Sequence, residues 1–345
     1  MVVVKHLYFK LKKFFLIVII IFSNTSFGKE FNELFIINEP ISNSSEIEKT
    51  INKSFNRMIY RLIGKNDPSY IWKIINAGTS RKDLIKSYSI KNINNQSFLV
   101  VSFDEKKTIS KLRNLSVPIV GFDRPVIMIL INFQPENKSP YFLSTNYQKS
   151  NFEKSLIPIL NNLSKSKGVF LELPIFDLRD IKNNAEFNLL EDPKKNILDK
   201  YSYDFLVDIN IANIGYLSWN ITGDINKKIS GIDSDKQMII EIENYLTSKI
   251  EKILLSSTLD FSNESNIDIV IEGIKDYQDY LASRKVIERL LSINNIEIMS
   301  FANEKITYKA DIYGKIETFK KEVENIPIFS FINIENEQIS LSYVN

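Results

Sequence analysis

The chain has 345 residues, 44% hydrophobic and 25% charged, with 44 Lys+Arg against 42 Asp+Glu. That composition excludes a wholly disordered or fibrous protein, and ten glycines with ten prolines exclude a collagen-like repeat. No cysteine is present and His6 is the one histidine, so disulfides, thiolate catalysis, iron–sulfur clusters and cysteine-bound zinc are all excluded.

The length predicts two or three domains at roughly 100–200 residues each. Residues 1–28 read as a secretory signal peptide. Lys5, Lys10, Lys12 and Lys13 form a basic region with no acid before Glu30, residues 14–22 form the apolar run, and Ser26 and Gly28 are the small residues of a cleavage site after Gly28. The nine apolar residues rise only about 13 Å as a helix against about 30 Å of bilayer core. Cleavage is therefore expected, not an anchor. It removes four lysines and no acids, which moves the formal charge from +2 to −2 and leaves neither His nor Cys. A near-neutral chain has no electrostatic footprint for nucleic acid.

The first expected unit, residues 29–103, is a small β-α-α-β-β module. A strand over 31–38 precedes a helix capped by Ser44 or Ser45, with Ile47, Ile51, Phe55, Met58, Ile59 and Leu62 at helical spacing and Gly64 as its stop. Asp67-Pro68 opens a second helix, and β-type segments over 84–91 and 96–103 flank a turn at Asn94-Asn95.

The second unit, residues 104–257, reads as an α/β domain with a mostly parallel sheet and an antiparallel flank. Its first helix follows Ser102-x-x-Glu105, where Asp104 and Glu105 read as helix N-terminal charge. Apolar runs at 126–131, 168–173 and 205–211 predict strands buried on both faces. Helical patterns lie between them, and Pro158 predicts that the first of these helices kinks or begins there. Residues 216–232 alternate as a hairpin around Trp219, ahead of a long helix through Ile239, Ile242, Leu246, Ile250 and Ile253.

The third unit, residues 258–345, has the order β-α-β-β-α-β with one extra strand, the split βαβ of a ferredoxin-like module. Its hairpins turn at Asn303-Glu304 and at 335–337.

The available chemistry is narrow. Without histidine there is no imidazole base, Ser-His-Asp triad or histidine metal ligand. Gly-rich phosphate loops and EF-hand spacing are also absent, and Asp233-Ser-Asp235 reads as a solvated turn. Paired carboxylates for glycan hydrolysis survive as an alternative, with Asp177, Asp180, Asp204 and Asp208 as candidates. Asp208, inside an apolar run, reads more simply as a hydrogen-bonded structural acid or a strand-end exposure. Arg124-Pro125 at the mouth of a buried strand reads as a surface or interdomain salt bridge ahead of an anion contact, and Trp72 and Trp219 read as core or edge packing. No residue is assigned to catalysis, a cofactor or a metal.

Residues 101–131 resemble the signature region of domain-of-unknown-function family 2066, exported proteobacterial proteins. The matching features are Phe103-Asp104 before a helix, a Leu-rich helix ending near Val117-Pro118, and Arg124-Pro125 entering a buried strand. Arg57, Arg61, Leu62, Ile63 and Gly64 resemble its helix stop, and Leu173-Pro174 with Asp177, Tyr203-Asp204 and Trp219 resemble its later blocks. Where members often carry a Trp before the Arg-Pro run, this chain has Val120-Gly121-Phe122. The middle unit is also similar in layout to the N-terminal domain of the Tol-system propeller protein, the curli secretion lipoprotein and outer-membrane activators of penicillin-binding proteins. The family implies an exported chain and no known activity, while the domains similar in layout bind other envelope proteins. The expectation is a non-enzymatic periplasmic interaction or scaffold factor, with a carboxylate-dependent hydrolase of cell-wall glycan, or a small-ligand carrier using the crevice at the ends of the buried strands, as alternatives.

Overall fold

The computed structural model describes residues 29–93, 96–177, 193–324, 326–335 and 337–344. The expected leader, the Asn94-Asn95 turn, Asp180 and Asn336 of the last turn lie outside the described residues. The fold is a mixed α/β arrangement of open sheets and eight described helices.

The N-terminal sheet has the order β2-β4-β3, antiparallel throughout, from β2 (Ile36–Pro40), β3 (Ile85–Ile93) and β4 (Gln96–Phe103). Helix α1 (Ile47–Ile63) lays Ile51, Phe55, Met58, Ile59 and Leu62 on it, and α2 (Pro68–Asn76) follows. The expected caps differ at α1. A 3₁₀ turn over Ser44–Glu46 leads into it, and Asn43 rather than α1 holds Ser45. Asp67 caps α2 as expected by accepting from the Ser69 amide, and its hydrogen bonds to Ser69 and Lys65 draw its carboxyl down to about 2. The first strand is shorter than predicted because residues 32–35 turn, with the Leu34 amide bonded to the Phe31 carbonyl at 3.0 Å. Helix α3 (Glu105–Asn114) is capped by Asp104, while Ser102 stays within β4. Its Ile109 and Leu112 join the same core, as do Leu259 and Phe261 from far along the chain.

The middle sheet has the order β12-β11-β10-β7-β8, with β9 sharing an edge of β7. Strands β7 (Val126–Gln134), β9 (Phe170–Glu172) and β10 (Phe205–Gly215) are mutually parallel. β8 (Tyr141–Phe142), β11 (Ser218–Gly223) and β12 (Lys227–Ser230) are antiparallel additions. β7 is apolar and buried from Val126 to Ile131 because both faces are covered there. Ile127, Ile129 and Ile131 meet α4 (Asn151–Lys167) and α6 (Ser234–Leu255), while Leu130 meets Phe142, Phe176 and Ile197 behind the sheet. Ile197 lies on the short helix α5 (Pro193–Leu198). The run at 168–173 yields only three half-buried strand residues. Helix α4 does not begin at Pro158 but contains it, since the Ser150–Glu153 capping box starts it about two turns earlier.

The C-terminal sheet has the order β15-β16-β14-β18-β17. β14 (Glu264–Glu272) lies antiparallel to β16 (Lys305–Tyr313), which pairs with β15 (Ile293–Ala302) across the Asn303-Glu304 turn, both turn residues having positive φ. β17 (Phe329–Glu335) occupies the outer edge, so the extra strand β18 (Gln338–Tyr343) slots between it and β14, parallel to the latter. Helices α7 (Tyr277–Ile287) and α8 (Ile316–Glu324) supply Ile287, Phe319 and Val323 to its core.

Gly64 tests the packing between units. It sits at φ +80, where a Cβ would lie 2.8 Å from Val120 Cγ2 and 2.9 Å from Leu254 Cβ. Gly64→Ala is expected to cost about 2–3 kcal/mol from strain and overpacking together, while Gly78→Ala, at φ +76 with open space around it, costs about 1 kcal/mol or less. Urea unfolding of both variants checks the ranking. Glu322 gives a pH signature. Burial raises its carboxyl above the ordinary 4.5, with the Ser292 hydrogen bonds opposing and Asp123 adding to the rise. A raised acid stabilises the fold fully below pH 4.5, and that contribution is lost as pH rises through the folded value. The melting temperature of Glu322→Gln should therefore gain on the parent between pH 4 and pH 7, whereas parallel profiles contradict the assignment.

Candidate functional site

Two buried guanidinium groups stand where the N-terminal and middle units meet. Arg61, in the last turn of α1, donates from Nη1 to the carbonyls of Glu33 at 2.6 Å, Leu34 at 3.1 Å and Ile36 at 3.1 Å, and from Nη2 to Lys165 at 2.5 Å. Its plane also lies 5.6 Å from the Phe31 ring. Arg124, on the short strand β6 (Asp123–Arg124), is fully buried and donates from Nη1 to the Arg61 carbonyl at 3.2 Å. The acceptors at Arg61 and Lys165 are the otherwise orphaned carbonyls of two helix C-termini, where the helix dipole favours positive charge. Desolvation, and next the neighbouring arginine, draw the Arg124 guanidinium down to about 9; burial draws Arg61 down to about 10, with Arg57 adding to the fall. Both stay charged at neutral pH.

Arg124 is therefore buried, not a surface residue, and its contact to α1 is to a backbone carbonyl. Gly168, the αL cap of α4, makes room for it all: a Cβ there would lie 2.7 Å from Arg61 Cγ. Around the pair, β1 (Lys29–Glu30) zips to β6, β13 (Thr258–Leu259) zips to β5 (Ile119–Val120), and Lys167 meets Glu251 of α6 at 2.5 Å.

Of the acids named for hydrolysis, the three described ones each have a different partner. Asp204 accepts from the Val126 amide at 2.7 Å and pins the start of β10 to β7; half-buried Asp208 pairs with Lys194; exposed Asp177 faces Lys200 at 3.8 Å. Among the described residues no group of three or more His, Asp or Glu is placed to hold a metal. Asp233, at the start of α6, meets Lys236 at 3.5 Å. Trp219 is core, its ring stacked 5.2 Å from Phe133. Trp72 is exposed instead, because Ile71 and Ile74 take the buried face of α2.

An open surface of the N-terminal unit lies along β3, which terminates its sheet. All its residues after Ile85 are exposed, Tyr88, Ile90 and Ile93 among them. A groove of about 730 Å³ runs beside it, floored by Ile47, Ile51 and Ile85 and rimmed by Lys82, Lys86 and Tyr88. Sequence reasoning placed a strand here without seeing its role. The one signal in the sequence is weak: Lys86 and Lys91 within IKSYSIKNI are the kind of charge that edge strands carry.

No family model matches the chain, no curated protein matches it, and no solved structure matches it.

The two arginines should respond in opposite directions. Arg61→Met takes a donor from four carbonyls, of which that of Glu33 keeps the Ile36 amide; at about 1–3 kcal/mol for each of the other three, we expect a loss of about 3 kcal/mol or more. Arg124→Met gives up one bond and removes a desolvated cation whose Nε and Nη2 have no partner among the described residues. That change is expected to lie within about 1 kcal/mol of the parent or to stabilise it. Urea midpoints decide, and the reverse ranking contradicts this reading.

Proposed function

We propose that this chain is an exported protein of the bacterial cell envelope that acts by binding another protein rather than by catalysis. The observation that carries the reading is β3: a nine-residue edge strand, exposed along its length and bordered by a groove, on a unit fixed to its neighbour by buried arginines. Unpaired strand edges are templates for an added strand, and recognition through them needs no titrating side chain.

Other lines support the same reading. The basic and apolar pattern of residues 1–28 fits a cleaved leader. No described helix is long and apolar enough to cross a membrane. Residues 101–131 resemble family 2066 of exported proteins. The β14-α7-β15-β16-α8-β17 order fits a ferredoxin-like module widened by β18. The middle sheet, with three parallel strands and an antiparallel flank, fits the periplasmic binding domains it resembles in layout. The hydrolase alternative draws no support from Asp177, Asp204 and Asp208, each of which has its own structural partner.

A photo-crosslinking residue placed at Tyr88, compared with one at exposed Lys236, tests the proposal in cells of the source organism. A discrete adduct from position 88 and none from 236, on a chain whose first residue is Lys29, is the expected result. Identical adduct patterns, or a chain that keeps residues 1–28 in a cytosolic pool, would overturn it.

A further inference from the structure

We infer that the β3 edge takes an extended acidic-apolar segment of the partner protein as an added strand; this rests on the binding reading above and names the chemistry of the partner. The backbone is the first argument. β3 pairs with β4 in unbroken register from Ser87 to Ile93, a stretch of about 23 Å, and every second residue turns its N–H and C=O away from β4. The other long edges are guarded. β15 carries two register breaks and β17 one, while β2 is short and ends at Pro40. The single break in β3 is at Lys86, before the regular stretch begins.

Charge is the second argument. No acid occurs from Leu84 to Phe103. Glu48 is engaged by Lys82 at 3.0 Å, and Asp83 is turned back onto the Ser80 amide at 2.9 Å. Lys86 and Lys91 have no ion pair among the described residues, so the edge carries uncompensated positive charge at both ends. At the Lys86 end the groove over Ile47 and Ile51, with Tyr88 beside it, has room for apolar side chains of the incoming strand.

The same charges choose against a second copy of this chain. Two β3 edges laid together would set lysines against lysines, and like charges across a strand pair are destabilising. Lys86 borders the groove and Lys91 lies on the opposite face of β3, so an added strand with apolar residues at the groove and acids toward either end satisfies the backbone, the groove and the lysines.

The test uses the full chain and two labelled peptides, one alternating Glu and Val and the other alternating Lys and Val, followed by fluorescence anisotropy. We expect the Glu-Val peptide to bind and the Lys-Val peptide to bind at least about tenfold more weakly, with the order reversed in a Lys86→Glu/Lys91→Glu variant. Both lysines are exposed, so an unchanged melting temperature verifies that this variant folds. Amide exchange should slow within residues 87–93 on binding. Equal affinity for both peptides, or protection confined to other residues, overturns the acidic assignment, and an adduct from position 88 in the cell experiment would then leave the binding reading standing. Self-association of the parent chain through β3, seen in sedimentation and lost on Tyr88→Pro, overturns it in favour of a second copy.

Discussion

A guanidinium group brought out of water is costly unless its donors are met; this fold meets Nη1 and Nη2 of Arg61 with peptide carbonyls, while Arg124 has one such bond among the described residues. Arg61 binds the turn before β2 and the last turn of α4, and Arg124 reaches back to the Arg61 carbonyl. The N-terminal unit and the middle sheet therefore share a polar centre at helix ends whose dipoles accept positive charge. Much else about the junction follows from this placement. The chain needs glycine at 64 and 168 because α1 and α4 end against neighbours with no space for a Cβ. The turn at 32–35 is shaped by carbonyls aimed at Arg61, which shortens β2 at its start.

With its second neighbour fixed in this way, the N-terminal sheet becomes a rigid frame for one open strand. Glu39 strengthens that frame from the other edge: it is buried on β2 and pairs with Lys53 and Arg57 of α1, each at 2.7 Å. Arg113 does the same toward the C-terminal unit by donating to the Leu291 carbonyl at 2.7 Å, and it lies over the Phe261 and Tyr313 rings. A binding surface on such a frame loses little conformational entropy when it is occupied, which is what recognition by strand addition requires.

Element types were largely legible in the sequence, since each helix and strand core carries a strong apolar period and most stops are local. Gly64, Asp67-Pro68 and the Asn303-Glu304 turn act where their chemistry says they act. Misreadings came where a local signal met a stronger one nearby. Pro158 looked like a helix start, yet the Ser150–Glu153 box outweighs the one backbone bond a proline removes. Ser102 looked like a cap, yet it is committed to pairing in β4 and Asp104 serves in its place. Arginine partners were not legible, because a carbonyl acceptor leaves no residue-type signature and Arg61 meets Lys165 across a hundred residues of chain. The open edge of β3 was hidden for a related reason: whether a strand has one neighbour or two is decided by the whole sheet.

The coupling between units is the claim on which this account depends, and native-state hydrogen exchange of the full chain measures it. Amides in the last turns of α1 and α4, and in β4 and β7, should open with one common free energy, because Arg61 ties them into a single cooperative unit. If the amides of α1 and β4 instead open at a distinctly lower free energy while α4 and β7 stay protected, the arginine centre does not join the two units and the account fails.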